Sequence, residues 1–155
     1  MPTTYEQLLG TWRLVSYYIE GVDGSVVYPM GEGAVGFIMY LQDGFMSANL
    51  MVPGRSPYTG GMASTASQAE LAAAALGYFG YAGRYEVDEA AKAVRHHIEV
   101  ALAPNLTGST QFRHVRFEGR RMILRGDPMP IGGRMAAHVI TWEPCAGVAY
   151  ASPAQ

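Results

Sequence analysis

The chain has 155 residues, enough for one domain that buries roughly two-thirds of the surface its unfolded form exposes, without a metal or disulfide staple. Cys145 is its single cysteine, which excludes an intrachain disulfide and suits a reducing compartment. A formal net charge of −2 without a basic stripe argues against a nucleic-acid partner, and no apolar run reaches the roughly 20 residues of a membrane span.

The opening Met1-Pro2-Thr3-Thr4-Tyr5-Glu6 lacks the basic start and apolar core of a secretory leader, so a cytoplasmic protein is expected. Residues 4–9 read as one helical turn, with Thr4 and Glu6-Gln7 as its polar start. Residues 11–19, rich in aromatic and β-branched side chains, read as a first strand, and Gly21-Val22-Asp23-Gly24 as a turn. A short strand follows over 25–28. Residues 34–41 and 45–52 form the clearest hairpin, joined by Gln42-Asp43-Gly44. Residues 53–66 form a long Pro/Gly-containing loop, a length typical of lids and binding loops. Ser67-Gln68-Ala69-Glu70 matches a capping box and starts the one convincing helix, with Gly77 and Gly80 marking its end near Tyr78-Phe79. Its apolar residues lie nearly all round, which predicts packing on the rest of the fold.

Strands are then predicted over 81–87, 93–102, 110–117, 121–125 and 135–142, with a Pro/Gly loop over 127–133. The basic stretch 113–125 is interrupted by Phe117, Met122 and Leu124 in alternation, the pattern of a solvated strand face. Eight or nine strands in mostly adjacent order must hide their edges, and closure into an all-β antiparallel barrel is the simplest solution. The predicted barrel domain covers 1–143, and 144–155 is read as a tail. A barrel of about eight strands can hold one small ligand.

At this point the residues resemble a known family. Leu8-Leu9-Gly10-Thr11-Trp12-Arg13 looks like the Gly-x-Trp start of lipocalin-type barrels. The ordered series Asp23-Gly24, Tyr28-Pro29-Met30-Gly31, Gly36-Phe37-Ile38-Met39-Tyr40, Asp43-Gly44-Phe45, Tyr81-Ala82-Gly83-Arg84-Tyr85, His96-His97-Ile98-Glu99, Pro104-Asn105, Arg113 and Trp142-Glu143 resembles the lipocalin-like domain family from Leu8 to Trp142. The resemblance implies a calycin-type barrel. It implies no single activity, since related barrels include ligand carriers as well as cyclases and isomerases. It also implies that an arginine, here Arg134 or Arg125, stacks on Trp12 to close one end.

Strand alternation sorts the polar residues. Val94, His96, Ile98 and Val100 share one face, predicted to point inward, while Arg95, His97 and Glu99 face water. Gln111, Arg113, Val115 and Phe117 form another inward set, as do Gly83, Tyr85 and Val87. Ile38 with Tyr40, and His138 with Ile140 and Trp142, complete the interior. The candidate ligand-binding residues are therefore Ile38, Tyr40, Tyr85, His96, Ile98, Arg113, Val115, His138 and Trp142. An interior arginine stays charged and needs carbonyls, a carboxylate or an anionic ligand.

Two functions follow as expectations. The first is binding of a small, largely apolar, aromatic or polyketide-like molecule between these residues and a lid over 53–81. The second is a cofactor-independent cyclase, isomerase or dehydratase, with His96, Arg113 and Tyr85 as candidate catalytic residues. No cofactor is expected. No metal is expected either, because adjacent strand residues such as His96 and His97 point to opposite faces and the four His and one Cys lack ligand spacing. Pairing of two copies through an exposed barrel face remains open on the sequence alone.

Overall fold

A computed structural model describes residues 1–146. Two helices and ten strands follow one another: α1 (Thr4–Leu8), β1 (Gly10–Gly21), β2 (Val26–Val27), β3 (Val35–Tyr40), β4 (Phe45–Met51), α2 (Gln68–Leu76), β5 (Tyr78–Asp88), β6 (Ala93–Ala101), β7 (Thr110–Glu118), β8 (Arg121–Arg125), β9 (Met129–Ile131) and β10 (Arg134–Pro144). The sheet order is β2-β1-β3-β4-β5-β6-β7-β8-β10-β9, and β1 also pairs with β10. Eight antiparallel strands thus close into a barrel, with β2 and β9 as short additions at its margins. The predicted closed all-β barrel with one inserted helix is the observed architecture.

Several details differ from expectation. Thr3, one residue earlier than predicted, caps α1: its side chain accepts from the Glu6 amide while Glu6 returns a bond to the Thr3 amide. Tyr78 and Phe79, predicted at the end of the helix, already belong to β5, because Gly77 ends α2 abruptly and Val52 N–H donates to its carbonyl. The capping box at Ser67 and Glu70 forms as predicted. The loop over 127–133 contains β9, and β10 runs two residues past Trp142 to Pro144, inside the predicted tail. The remainder of that tail, from 147 on, lies outside the described residues.

One end of the barrel is a packed floor. Trp12 is buried against Phe117 and donates its indole N–H to the Leu8 carbonyl at 2.8 Å, tying α1 to β1. The Glu89 carboxylate, from the β5–β6 turn, accepts the amides of Thr4 and Tyr5 at 2.8 and 2.9 Å, where a helix start favours negative charge. Among the described residues no arginine stacks on Trp12. Arg125 pairs with Glu20 at the opposite end of β1, and Arg134 with Asp23 in the turn that follows it. The small helix has taken over the closing role that the resemblance gave to an arginine.

Two bulges shift the side-chain alternation. In β1, Leu14 lies opposite Trp142 but Ser16 lies opposite Thr141, so Val15 is extra and Tyr17 and Ile19, opposite Ile140 and His138, join the inward row of Trp12 and Leu14. In β6, Ile98 lies opposite Gly83 but Val100 lies opposite Ala82, so Glu99 is extra. Val100, predicted inward, is therefore turned outward and is 63% exposed. Gly83 marks the crossing: a Cβ there would stand 1.9 Å from the His97 carbonyl oxygen and 2.9 Å from the Glu99 amide. Substituting Gly83→Ala should thus force β5 and β6 apart and lower stability by about 2–3 kcal/mol, at the upper end for overpacking. Urea unfolding checks this; an unchanged midpoint would show that the bulge yields freely.

Candidate functional site

The interior divides by height. Toward α1 it is filled with large side chains: Trp12, Trp142, Met122, Leu124, Tyr40 and Tyr85 are all buried. Toward the other end, where β1, β4 and β8 finish, the inward residues Tyr17, Ile19, Gln111, Arg113, His138 and Ile140 are only half-buried. The barrel is thus sealed at the α1 end and more exposed at the other, the end here called the cup.

A buried polar chain crosses the base of this cup. His96, 1% exposed, has its Nε2 2.7 Å from the Tyr40 hydroxyl and its Nδ1 2.7 Å from the Tyr81 hydroxyl. Strands β3, β6 and β5 are thereby linked through one imidazole. Burial, with the nearby Arg113 charge adding to it, lowers the His96 pKa to about 3. Burial likewise pushes Tyr81 up to about 12 and Tyr40 well above its ordinary range. All three groups are neutral near neutral pH. Tyr85, edge-on to Tyr40 at 5.0 Å, donates its hydroxyl to the Leu41 carbonyl and stacks on Tyr5, which fixes it as part of the floor.

Arg113 is the charge above this chain. Its positive charge acts on Tyr17, Tyr40, Tyr81, His96 and His138, residues from five strands. It donates to the Phe112 carbonyl at 2.7 Å and to Gln111 Oε1 at 3.4 Å. The ion pairs formed among the described residues do not include it. Opposite, Tyr17 and His138 share a hydrogen bond of 2.9 Å and stacked rings, a pairing brought about by the β1 bulge. Desolvation, with the Arg113 charge adding to it, lowers the His138 pKa as well.

The chain matches the family model of the lipocalin-like domain over residues 9–145. It belongs to the lipocalin-like domain family. It is also 33% identical over 105 residues to a protein of Aspergillus oryzae named 4'-hydroxy-3'-methoxypropiophenone carrier protein, a match that covers 63% of this chain and 95% of that protein.

Within this lipocalin-like barrel the structure brings His96, Tyr40, Arg113 and His138 to the interior and places Ile38, Ile98, Val115 and Trp142 around them in the buried core. Tyr81 and Tyr17 are the interior polar residues that sequence reasoning passed over. Tyr81 has the same alternation as Gly83 and Tyr85 and was legible on that ground. Tyr17 was not, because its facing depends on the bulge. His97 faces water as predicted, between Thr110 and Glu86. The loop and helix over 53–77 fold against each other, with Arg55 donating to the Ala74 carbonyl and Thr59 to Glu70. Its helix packs on β5, and none of the helix residues is fully buried. Among the described residues no helix is long and apolar enough to cross a membrane, and no group of three or more metal-ligating side chains converges.

The depressed His96 pKa makes stability depend on acid. Between about 6.5 and about 3 the unfolded chain binds a proton at this histidine and the folded barrel does not, so stability falls as pH drops through that window. Chemical denaturation at a series of pH values should show this slope, and it should be shallower in His96→Gln, whose side chain carries no titrating group. Parallel slopes for the two proteins would show that His96 protonates without opening the fold.

Proposed function

We propose that the barrel binds a small, largely apolar aromatic molecule in the cup above the Tyr40–His96–Tyr81 chain, with Arg113 directed at an oxygen of that molecule. The observation that carries this reading is Arg113 itself. It is a permanent cation on an inward face, held by one backbone carbonyl and one long amide contact, with donors to spare. A half-buried cation with few protein partners leaves donors open to an acceptor that enters beside it. The apolar neighbours Ile19, Ile98, Ile140 and Phe79 suit an aromatic ring, and the name of the Aspergillus oryzae relative supports a carrier of such a ring.

The geometry favours binding over acid–base turnover. His96 stays neutral and has both ring nitrogens engaged by phenols, and Tyr85 is tied into the floor. Neither is poised to exchange protons with a substrate near neutral pH.

Titration calorimetry with 4'-hydroxy-3'-methoxypropiophenone tests the proposal. Saturable binding with one site is expected. Arg113→Met should weaken it about 10- to 100-fold, the loss of a hydrogen bond to a charged group. The same substitution should leave thermal stability equal or higher, because it replaces a poorly partnered cation with an apolar chain. Unchanged affinity in Arg113→Met would remove Arg113 from the site.

A further inference from the structure

The Tyr40–His96–Tyr81 chain has a proton count that the protein alone does not complete. A neutral imidazole offers one N–H and one lone pair. Each His96 nitrogen is 2.7 Å from one phenol oxygen. One tyrosine therefore donates into the lone pair, and the other accepts the ring N–H and keeps its own O–H to give away. Neither phenol oxygen has a second hydrogen-bond partner among the described residues. With either tautomer, one phenol proton is left over inside the barrel, where an unmade hydrogen bond is costly.

Position decides which phenol carries it. Tyr40 is 1% exposed and its ring is wedged edge-on against Tyr85, whose own hydroxyl already occupies the Leu41 carbonyl. Tyr81 lies nearer the open end, on the strand that also presents the half-buried Phe79, whose ring meets that of Tyr81 edge-on at 5.7 Å. A spare proton on Tyr40 would be sealed in the floor, whereas on Tyr81 it borders the cup. We propose that His96 is held as the Nδ1–H tautomer, with Tyr40 donating to Nε2, and that the Tyr81 hydroxyl is a free donor that anchors an acceptor oxygen of the ligand beside Arg113. The ligand class is an aromatic molecule bearing a carbonyl or a comparable acceptor, in preference to its hydrocarbon counterpart.

A separate observation has the same sign. The indole N–H of Trp142, a residue 1% exposed on the inward row of β10, also has no acceptor. Among the described residues the buried polar side chains other than tyrosine and tryptophan are His96 and Thr4, and no carboxylate is buried. The surplus in this interior is of donors. An acceptor-bearing guest engages the donor that borders the cup, and a donor-only or purely hydrocarbon guest leaves it as it is.

This inference rests on the interior-binding reading above, and two measurements separate its failure from the failure of that reading. A long-range proton–nitrogen spectrum of histidine in the ligand-free protein should show His96 protonated at Nδ1; protonation at Nε2 would place the spare proton on Tyr40 and overturn the assignment. In the second measurement, the neutral fluorophore N-phenyl-1-naphthylamine is displaced by 4'-hydroxy-3'-methoxypropiophenone or by its ketone-free propyl analogue. The ketone should compete at least about tenfold better, the worth of one hydrogen bond of about 1.4 kcal/mol. In Tyr81→Phe this preference should collapse toward parity while the fluorophore still binds. Equal competition in the unsubstituted protein, or a preference that survives Tyr81→Phe, overturns the donor assignment and leaves the interior site standing. If neither the fluorophore nor the ketone binds, both readings fall.

Discussion

From Trp12 opposite Pro144 to Gly21 opposite Ala136, β1 and β10 are joined along almost their whole length, and that pairing turns a sheet with two free margins into a wall with an inside. Open edges invite pairing with other chains, and closure removes them. It also creates the site. Tyr17 belongs to β1 and His138 to β10, so their hydrogen bond spans the seam itself. Arg113, on β7, acts on both from across β8. In the unclosed sheet Tyr17 would lie at the opposite end from His138 and Arg113. The seam depends in turn on the floor, where α1 is held by Trp12 from one strand and by Glu89 from a distant turn.

Inside the wall, electrostatics and packing divide the work. The lower half excludes water with large side chains, and its polar groups are chained to one another through His96. The upper half keeps a positive charge that these groups do not neutralise. Desolvation and the Arg113 charge act in the same direction on both interior imidazoles, since each disfavours a second cation. The result is a cup with one fixed charge and neutral, hydrogen-bonding surroundings.

Much of the fold was legible because the signals for a barrel are local. Asp43-Gly44 takes the tight turn of the β3–β4 hairpin, and alternation in β3 and β7 sorts Ile38, Tyr40, Arg113 and Val115 correctly to the interior. The helix start at Ser67 was equally local. What alternation could not carry was any residue beyond a bulge. Val100 was assigned inward by counting from His96, and the extra Glu99 reverses that count. Tyr17 was missed for the same reason at Val15. Register across the seam is a long-range property, so no local pattern announces that Tyr17 meets His138. The arginine sought over Trp12 was absent because α1, only five residues long, already supplies the acceptor that the indole needs.

The two bulges share a consequence. Each lies part-way up its strand, and each re-aims the residues above it, the ones that line the cup, while the packed floor below keeps simple alternation. In β1 the shift brings a tyrosine to face the seam histidine. In β6 it sets Ala101 opposite Tyr81 and turns the bulkier Val100 outward. A valine on the inner wall at that point would crowd the strand that carries Tyr81, whereas an alanine leaves the phenol room to hold His96 and present its remaining proton. The irregularities of the backbone thus fall where the interior changes from full to partial burial, and bulges are a common means of re-aiming side chains.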